Sequence, residues 1–572
     1  MHKKTVIDFK KFGKRLTFDN PLDELYALSI ADVRPLLEKV EAYQKRGFFV
    51  VGYVTYEAAK AFEESFQVKS QPLMGEYLAY FTVHKTVKES DFPLAYTDAS
   101  ALDNNWQSLV SEEAYEQAIA KIHHHIRQGD TYQVNYTIQL QSELLDDSFA
   151  IYNRLVVEQD ASYNAYIEHD DTTVISVSPE LFFEKEKSIL RTRPMKGTIK
   201  RGNWIGDDLK KRDWLAQDSK NRSENMMIVD LLRNDMSRIS QIGSVEVKKL
   251  CAIEQYSTVW QMTSTIESRL KEKTTLLQIF EALFPCGSIT GAPKISTMSI
   301  IDQLEPNPRG VYCGTIGLAL PNGDSIFNVA IRTLQVQRSK AIYGVGGGIT
   351  WESQWQDEFE ETQQKSAVLH RKNTPFDVIT TGLVKNQDLI FLEQHLKRMS
   401  ETSRYFNYPF NQTTCMDSLN NLLLTLDSKK DYRLKITLLK NGDIAFEASE
   451  YQPLSPSFLR AVIVERKEAL RGPFPYFKTS YRPHIPQVSY EQLFISSEGY
   501  LQETSIGNLV LEIDGKLYSP PVTVGILDGI YRNYLIKSGQ VSERLLTKED
   551  LDKANHIYAC NSVRGLYEII IN

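Results

Sequence analysis

Short runs rich in β-branched residues, TTVISVS, SILRTRP, GTIGLAL and AIYGVGGG among them, recur up to about Leu369, each bounded by Gly, Pro or charged turn residues. Runs of this kind form strands. Long segments with helical periodicity lie between them, such as SENMMIVDLLRNDMSRI from Ser223 to Ile239. A chain built this way is α+β, with a large, mainly antiparallel β-sheet sandwich and helices packed outside it. At 572 residues it exceeds the roughly 250–300 at which a single core stops growing. The pattern is interrupted at HRKNTP, which follows the helix-like DEFEETQQKSAVLH and precedes a fresh strand-like start, FDVITTGLV. The expected organisation is a first domain over residues 1–369, a linker over 370–375 and a second domain over 376–572. No short-period repeat is present.

The charge balance, 66 basic against 73 acidic residues, gives no general reason to expect nucleic acid or an anionic membrane as partner. Five scattered cysteines without a C-x-x-C pair argue against a disulfide framework or a structural zinc site. MHKKTVIDFKKFGKRL lacks the apolar core of a signal peptide, and no run approaches the roughly 20 apolar residues of a membrane span. A cytoplasmic protein is expected.

The stretch RTRPMKGTIKRG sets Lys196 at an apparent turn among Arg191, Arg193, Lys200 and Arg201. A lysine in a turn is ordinarily a solvated charge. Converging cations would instead lower its pKa toward the neutral, nucleophilic form. Acidic residues supply a second signal. Glu224 lies early in the helix-like SENMMIVDLLRND, and Glu358 and Glu361 are i, i+3 neighbours in DEFEETQQ. Carboxylates from distant helices can hold Mg²⁺, which takes one or two of them and keeps waters and substrate oxygens. CGSITGAPK puts Thr290, Gly291 and Pro293 at a helix start suited to an anion, and GVGGG permits close backbone approach. Arg332, in the strand-like NVAIRT, is either paired with an acid or aimed at a carboxylate.

In order along the chain, PMKGT, SENMMIVDLLRND, GSITGAPK, RGVYCG, NVAIRT and GGGIT with EFEET resemble the chorismate-utilising enzymes, in particular their aminodeoxychorismate synthase component I branch. The likeness runs from about Gly47 to Leu369. It implies that lysine at position 196 marks amination toward a para product, where anthranilate synthases carry alanine. It further implies Mg²⁺ on Glu224 and Glu361, with Glu358 beside them. Tyr312, Arg332, Gly197, Thr198, Gly346, Gly347 and Gly348 would hold chorismate. Lys196 would attack C2, and Glu180 of SPELFF would be the general acid at the C4 hydroxyl. Gln261 replaces a histidine frequent in relatives and is expected as a substrate hydrogen-bond partner; Ser288 replaces a threonine and keeps the hydroxyl. No cysteine has the G-x-C-x-G context of a glutaminase nucleophile, so the ammonia would come from a separate glutaminase subunit, component II.

Beyond Phe376, Lys478 sits among aromatic residues in PFPYFKTSYRPH, His395 and Arg398 share a helix face, and a Gly-rich turn leads into a helix start at Gly529 to Arg532. Together with Glu503 these segments resemble fold-type IV pyridoxal-phosphate enzymes, and 4-amino-4-deoxychorismate lyase among them. The resemblance implies a smaller α+β domain in which Lys478 carries pyridoxal 5′-phosphate and Glu503 pairs with its ring nitrogen. Arg398, the Ile530–Tyr531 backbone and Ser562 would bind its phosphate, and a homodimer would form through this domain. The domain lacks an N-terminal strand usual in relatives. The combined expectation is synthesis of 4-aminobenzoate, a folate precursor, in two consecutive steps. The alternatives are a C-terminal half that is a docking module or a small amino-acid aminotransferase, and, disfavoured by Lys196, an anthranilate synthase.

Overall fold

The structure, a computed structural model, describes residues 3–93, 105–144, 147–371 and 374–572. Lys372 and Asn373, within the expected linker, lie outside the described residues. The chain forms two compact units. One comprises Met1–Lys200 and Arg212–Asn373; the other comprises Arg201–Lys211 and Thr374–Asn572. The segment Arg201–Lys211 thus belongs with the C-terminal residues, a placement that no local pattern in the sequence signals.

The first unit contains two ten-stranded sheets whose described pairings are all antiparallel. Between them lies an apolar core to which Ile7, Phe9, Ile167 and Val174 contribute from one sheet and Val51, Tyr53, Ile316 and Leu318 from the other. Helices cover the outer faces. Ile30–Lys45 and Ser219–Ser237 supply a second core with one sheet, and Glu112–Gln128 and Ser148–Gln159 a third with the other. The expected sandwich with outer helices is therefore present. Period-2 alternation explains it: each strand turns alternate side chains to the inner core and to the helical layer.

Two strands carry most of the first site. Lys340–Ile349, containing GVGGG, pairs with Gln133–Glu143 in a register that sets Gly346 opposite Thr137 and Gly348 opposite Asn135. Met195–Lys200 pairs with Val259–Arg269, and the register shifts between Met195 and Thr198. The apparent turn at Lys196 is thus a bulge within a strand. Gly197 occupies the left-handed region at φ 89°, which glycine enters without steric cost, and the extra residue re-aims the side chain beside it. NVAIRT likewise is not one strand. Ser325–Asn328 ends on its first residue, Thr333–Gln337 begins on its last, and Arg332 between them has φ 52°.

The second unit has a four-stranded antiparallel sheet over Val378–Glu450 and a nine-stranded sheet that includes parallel pairings such as Arg460–Glu465 with Glu491–Ile495. All five cysteines are buried and unpaired, consistent with the absence of a disulfide framework. Among the described residues no helix is long and apolar enough to cross a membrane.

Candidate functional site

A cavity of about 660 Å³ in the first unit is lined by Lys196, Glu180, Glu224, Glu358 and Glu361. Gly197, Thr198, Gln261, Ser288, Tyr312, Arg332 and Gly346 to Gly348 also line it. Residues read as separate candidates over more than 180 positions of sequence therefore share one concave surface. The helix start at Thr290 to Pro293 does not. Gly291 is paired with Val134, the Thr290 hydroxyl donates to the backbone of its own turn, and Lys294 reaches Asp235 at 3.0 Å.

The Lys196 amine lies against Gly348, where a Cβ would stand 2.8 Å from Nζ and 1.9 Å from Gln133 Nε2. Burial lowers its pKa, opposed by the charge of Glu224 and reinforced by Lys365. Three of its four basic neighbours in sequence are engaged with acids, while the fourth, Lys200, is exposed on the lining of the same cavity. Arg191 is bonded to Glu184 at 2.6 Å and Glu267 at 2.7 Å, Arg193 faces Glu254 at 3.7 Å, and Arg201 is paired with Asp208. Strand alternation and these acids disperse the expected cationic cluster, so burial and a lysine from another helix take its place as the cause.

Glu180 is buried, and burial pushes its carboxyl up to about 7 against the hydrogen bond donated by Ser288 Oγ at 2.6 Å and the charge of Lys196. Such a group can hold a proton near neutral pH. Across the cavity, burial raises Glu224. Burial and the neighbouring Glu361 raise Glu358 to about 7, while the Ser353 hydroxyl donates to it at 2.6 Å. Glu361 is lowered by Lys365, paired with it at 2.6 Å. A Cβ on Gly347 would meet Glu358 Oε2 at 3.2 Å and Glu361 Oε1 at 3.7 Å, so glycine leaves both carboxylates open to the cavity. Mutually repelling, oxygen-only donors fit a hard divalent cation. Among the described residues no group of three or more His, Cys, Asp or Glu is close enough to hold a metal.

Arg332 donates to Gln159 at 2.8 Å and forms no ion pair among the described residues, leaving its positive charge to the cavity. The Tyr312 ring packs where a side chain on Gly344 would stand. Gln261 has a more structural position than expected. Its Nε2 donates to Gly197 O at 2.9 Å and its Oε1 accepts from Thr198 Oγ1 at 2.7 Å, so its amide braces the bulge that carries Lys196. Sequence reasoning missed Lys365 and Gln133. The i, i+4 spacing from Glu361 signals Lys365, which also donates to Gly346 O at 2.8 Å. Nothing local signals Gln133, whose Oε1 is buried without a partner.

In the second unit a cavity of about 340 Å³ lies between helices Leu392–Phe406 and Ile530–Lys537, with Lys478, Arg398 and Ile530 in its lining. Burial lowers Lys478 to about 7, reinforced by the charges of Arg398 and Arg482. Arg398, lowered by burial to about 10, donates to Thr380 Oγ1 and keeps a buried Nε without a partner. His395 contacts the same hydroxyl at 2.7 Å. Glu503 is buried; its Oε2 accepts from Leu527 N at 3.2 Å, its Oε1 has no hydrogen-bond partner, and Arg482 lies 3.6 Å away. A buried lysine lowered to about 7, a guanidinium on the same cavity with a buried, unpartnered Nε, and a buried carboxylate with one unpartnered oxygen are groups that suit pyridoxal phosphate. Glu503, Tyr531 and Ser562 are not among the residues lining this cavity, and the Ser562 hydroxyl is committed to Thr381 O at 2.8 Å.

Residues 6–371 match the chorismate binding enzyme family and residues 377–570 match amino-transferase class IV. The chain is 38% identical over 261 residues to aminodeoxychorismate synthase component 1 of Bacillus subtilis (strain 168), covering 46% of this chain and 56% of that protein. It is 31% identical over 386 residues to the protein of the same name from Escherichia coli (strain K12), covering 64% of this chain and 84% of that one. The solved anthranilate synthase component I from Streptococcus pneumoniae TIGR4 shares the fold at a TM-score of 0.54 and 24% identity, over 64% of this chain and 92% of that one. This chain thus spans just over half the length of the first of these relatives. The match over most of the first unit, on the same stretch that carries the ordered motifs and the cavity, shows that the chain belongs to the chorismate binding enzymes.

Proposed function

We propose that the chain converts chorismate and ammonia to 4-aminobenzoate in two steps, one in each unit. The observation that carries the first step is the opposed pKa shifts of two groups on one cavity, an amine lowered and a carboxyl raised. Arg332 and the glycine backbone bind the substrate carboxylates. Mg²⁺ would be held by Glu224 and Glu361, with Glu358 beside them, and would supply positive charge against a carboxylate. Neutral Lys196 Nζ bonds to C2, both ring double bonds shift by one position toward C4, and the C4 hydroxyl leaves as water with the proton of Glu180. Ammonia then bonds to C4, both double bonds shift back, and Lys196 is expelled from C2. The product is 4-amino-4-deoxychorismate. Relatives named component 1 support a separate component II that delivers ammonia, for which an ammonium salt substitutes in vitro.

In the second step Lys478, Arg398, Glu503 and the Ile530–Tyr531 backbone would hold pyridoxal phosphate, which would supply an electron sink. Lys478 takes the C4 proton, the C3–O bond breaks, the ring becomes aromatic, and the released enolpyruvate takes up a proton at its methylene carbon to give pyruvate. Incubating the purified chain with chorismate, an ammonium salt, Mg²⁺ and pyridoxal phosphate should give 4-aminobenzoate and pyruvate. Anthranilate as the product would defeat the proposal.

Two further results are expected. The rate of the first step should fall toward acid pH as Lys196 gains a proton and toward alkaline pH as Glu180, raised to about 7, loses one. In Glu180→Gln the alkaline limb should vanish together with a factor of about 10²–10⁴ in rate; an intact limb would assign it to another group. Gly348→Ala introduces a methyl that meets only the ends of two flexible side chains, Gln133 and Lys196. The fold should tolerate it, while displacement of the amine lowers turnover by about 10²-fold. Calorimetry and single-turnover rates separate the two effects.

A further inference from the structure

The cavity around Lys478 is lined by one residue from outside the C-terminal sequence, Ile205. It belongs to Arg201–Lys211, the segment of the first half of the chain that is part of the second unit. Its anchorage there is built of buried polar groups. Arg201 and Asp208, both less than a tenth exposed, form a two-pronged ion pair at 2.7 Å through each nitrogen. The guanidinium lies 4.3 Å over the Tyr405 ring and donates to Tyr405 O at 3.2 Å. In return Tyr405 Oη donates to Gly202 O at 2.7 Å, and Gly202 N donates to Asp208 at 2.8 Å. Gly202 is required, since a Cβ would lie 2.2 Å from the Asp208 backbone nitrogen.

Through this anchor the segment reaches both residues that precede Lys478. Trp204 packs on Tyr476 with ring centroids 5.3 Å apart, and Tyr405, clamped by Arg201, packs on Phe477 at 4.3 Å. The geometry points to Arg201–Lys211 as a wall of the cofactor cavity, donated by the first half of the chain, that positions Lys478 and seals the groove through Trp204 and Ile205. The inference rests on the reading of this cavity as a pyridoxal-phosphate site. Trp204 and Arg201 are positioning residues, because they act through Tyr476 and Phe477; Ile205 acts directly, as lining.

The test uses the full-length chain, stripped of cofactor and titrated with pyridoxal phosphate, following visible absorbance and tryptophan fluorescence. Trp204→Ala, Arg201→Lys and Ile205→Trp should each weaken cofactor affinity at least about tenfold, with turnover of chorismate in the first unit changed less than about twofold. Trp204→Phe, which keeps the ring stack, should restore affinity to within about threefold of wild type. Equal affinities in all four variants would overturn the inference while leaving the proposed function standing. Absence of binding by the wild-type chain would overturn the reading of the cavity and the inference with it. Loss of chorismate turnover in Trp204→Ala alone would leave the decision to Ile205→Trp, whose side chain enters the cavity without removing an anchor.

Discussion

Lys196→Ala is expected to lower formation of 4-amino-4-deoxychorismate by on the order of 10³-fold or more, while the same protein still converts supplied 4-amino-4-deoxychorismate to 4-aminobenzoate. The size of the effect follows from what the residue provides. Without the amine, ammonia must displace the hydroxyl without a preceding bond at C2, and Glu180 then protonates a leaving group that nothing pushes out. Lys196→Arg separates this role from electrostatic binding, because it keeps a positive charge but offers no free amine near neutral pH. It should be as inactive as the alanine variant. With ammonia withheld, the wild-type chain given chorismate should gain a mass equal to chorismate less water on the peptide containing Lys196. Normal turnover by either variant would remove the covalent role.

Lys478→Ala is expected to stop the pathway one step later. The first unit should continue to consume chorismate at its normal rate, 4-amino-4-deoxychorismate should accumulate, and 4-aminobenzoate should fall by on the order of 10³-fold or more. The visible absorbance of lysine-bound cofactor should vanish as well. The pH dependence has a definite sign. Burial and neighbouring cations set this amine at about 7, so the neutral form dominates above that value and cofactor attachment should slow as pH falls below it. Chromatography of the product mixture checks the three turnover outcomes, and absorbance spectra taken across pH check the cofactor. A Lys478→Ala chain that still released 4-aminobenzoate at the wild-type rate would exclude the second unit as the lyase.

Much of the first cavity was legible in local sequence, because its parts are local devices. Glycines in GVGGG mark close approach, helical periodicity sets Glu358 and Glu361 on one face, and the motif order links them to Lys196. The helix over Ser219–Ser237 and the strand starting at Val378 were likewise legible, since periodicity and turn residues report on near neighbours. Partner choice was not. Arg191 and Arg193 look like an activating cluster until cross-strand acids claim them, and nothing local shows that the amide of Gln261, which lines the cavity, also braces Gly197. Arg332 adopts a left-handed backbone that a non-glycine residue in an apolar run gives no cause to expect.

The sequence by itself determined the element types and the family, because each is written in short-range pattern and in the order of motifs. Tertiary structure alone decided which groups are dry and which charges meet. Burial, rather than adjacent cations, sets the direction of the shifts at Lys196, Glu180 and Lys478, and burial is a sum over side chains brought together from distant parts of the chain. The same holds for Arg201. Five residues from Lys196 in sequence, it is clamped to Asp208 and Tyr405 in the other unit, because a buried guanidinium goes where a carboxylate and an aromatic face are both available.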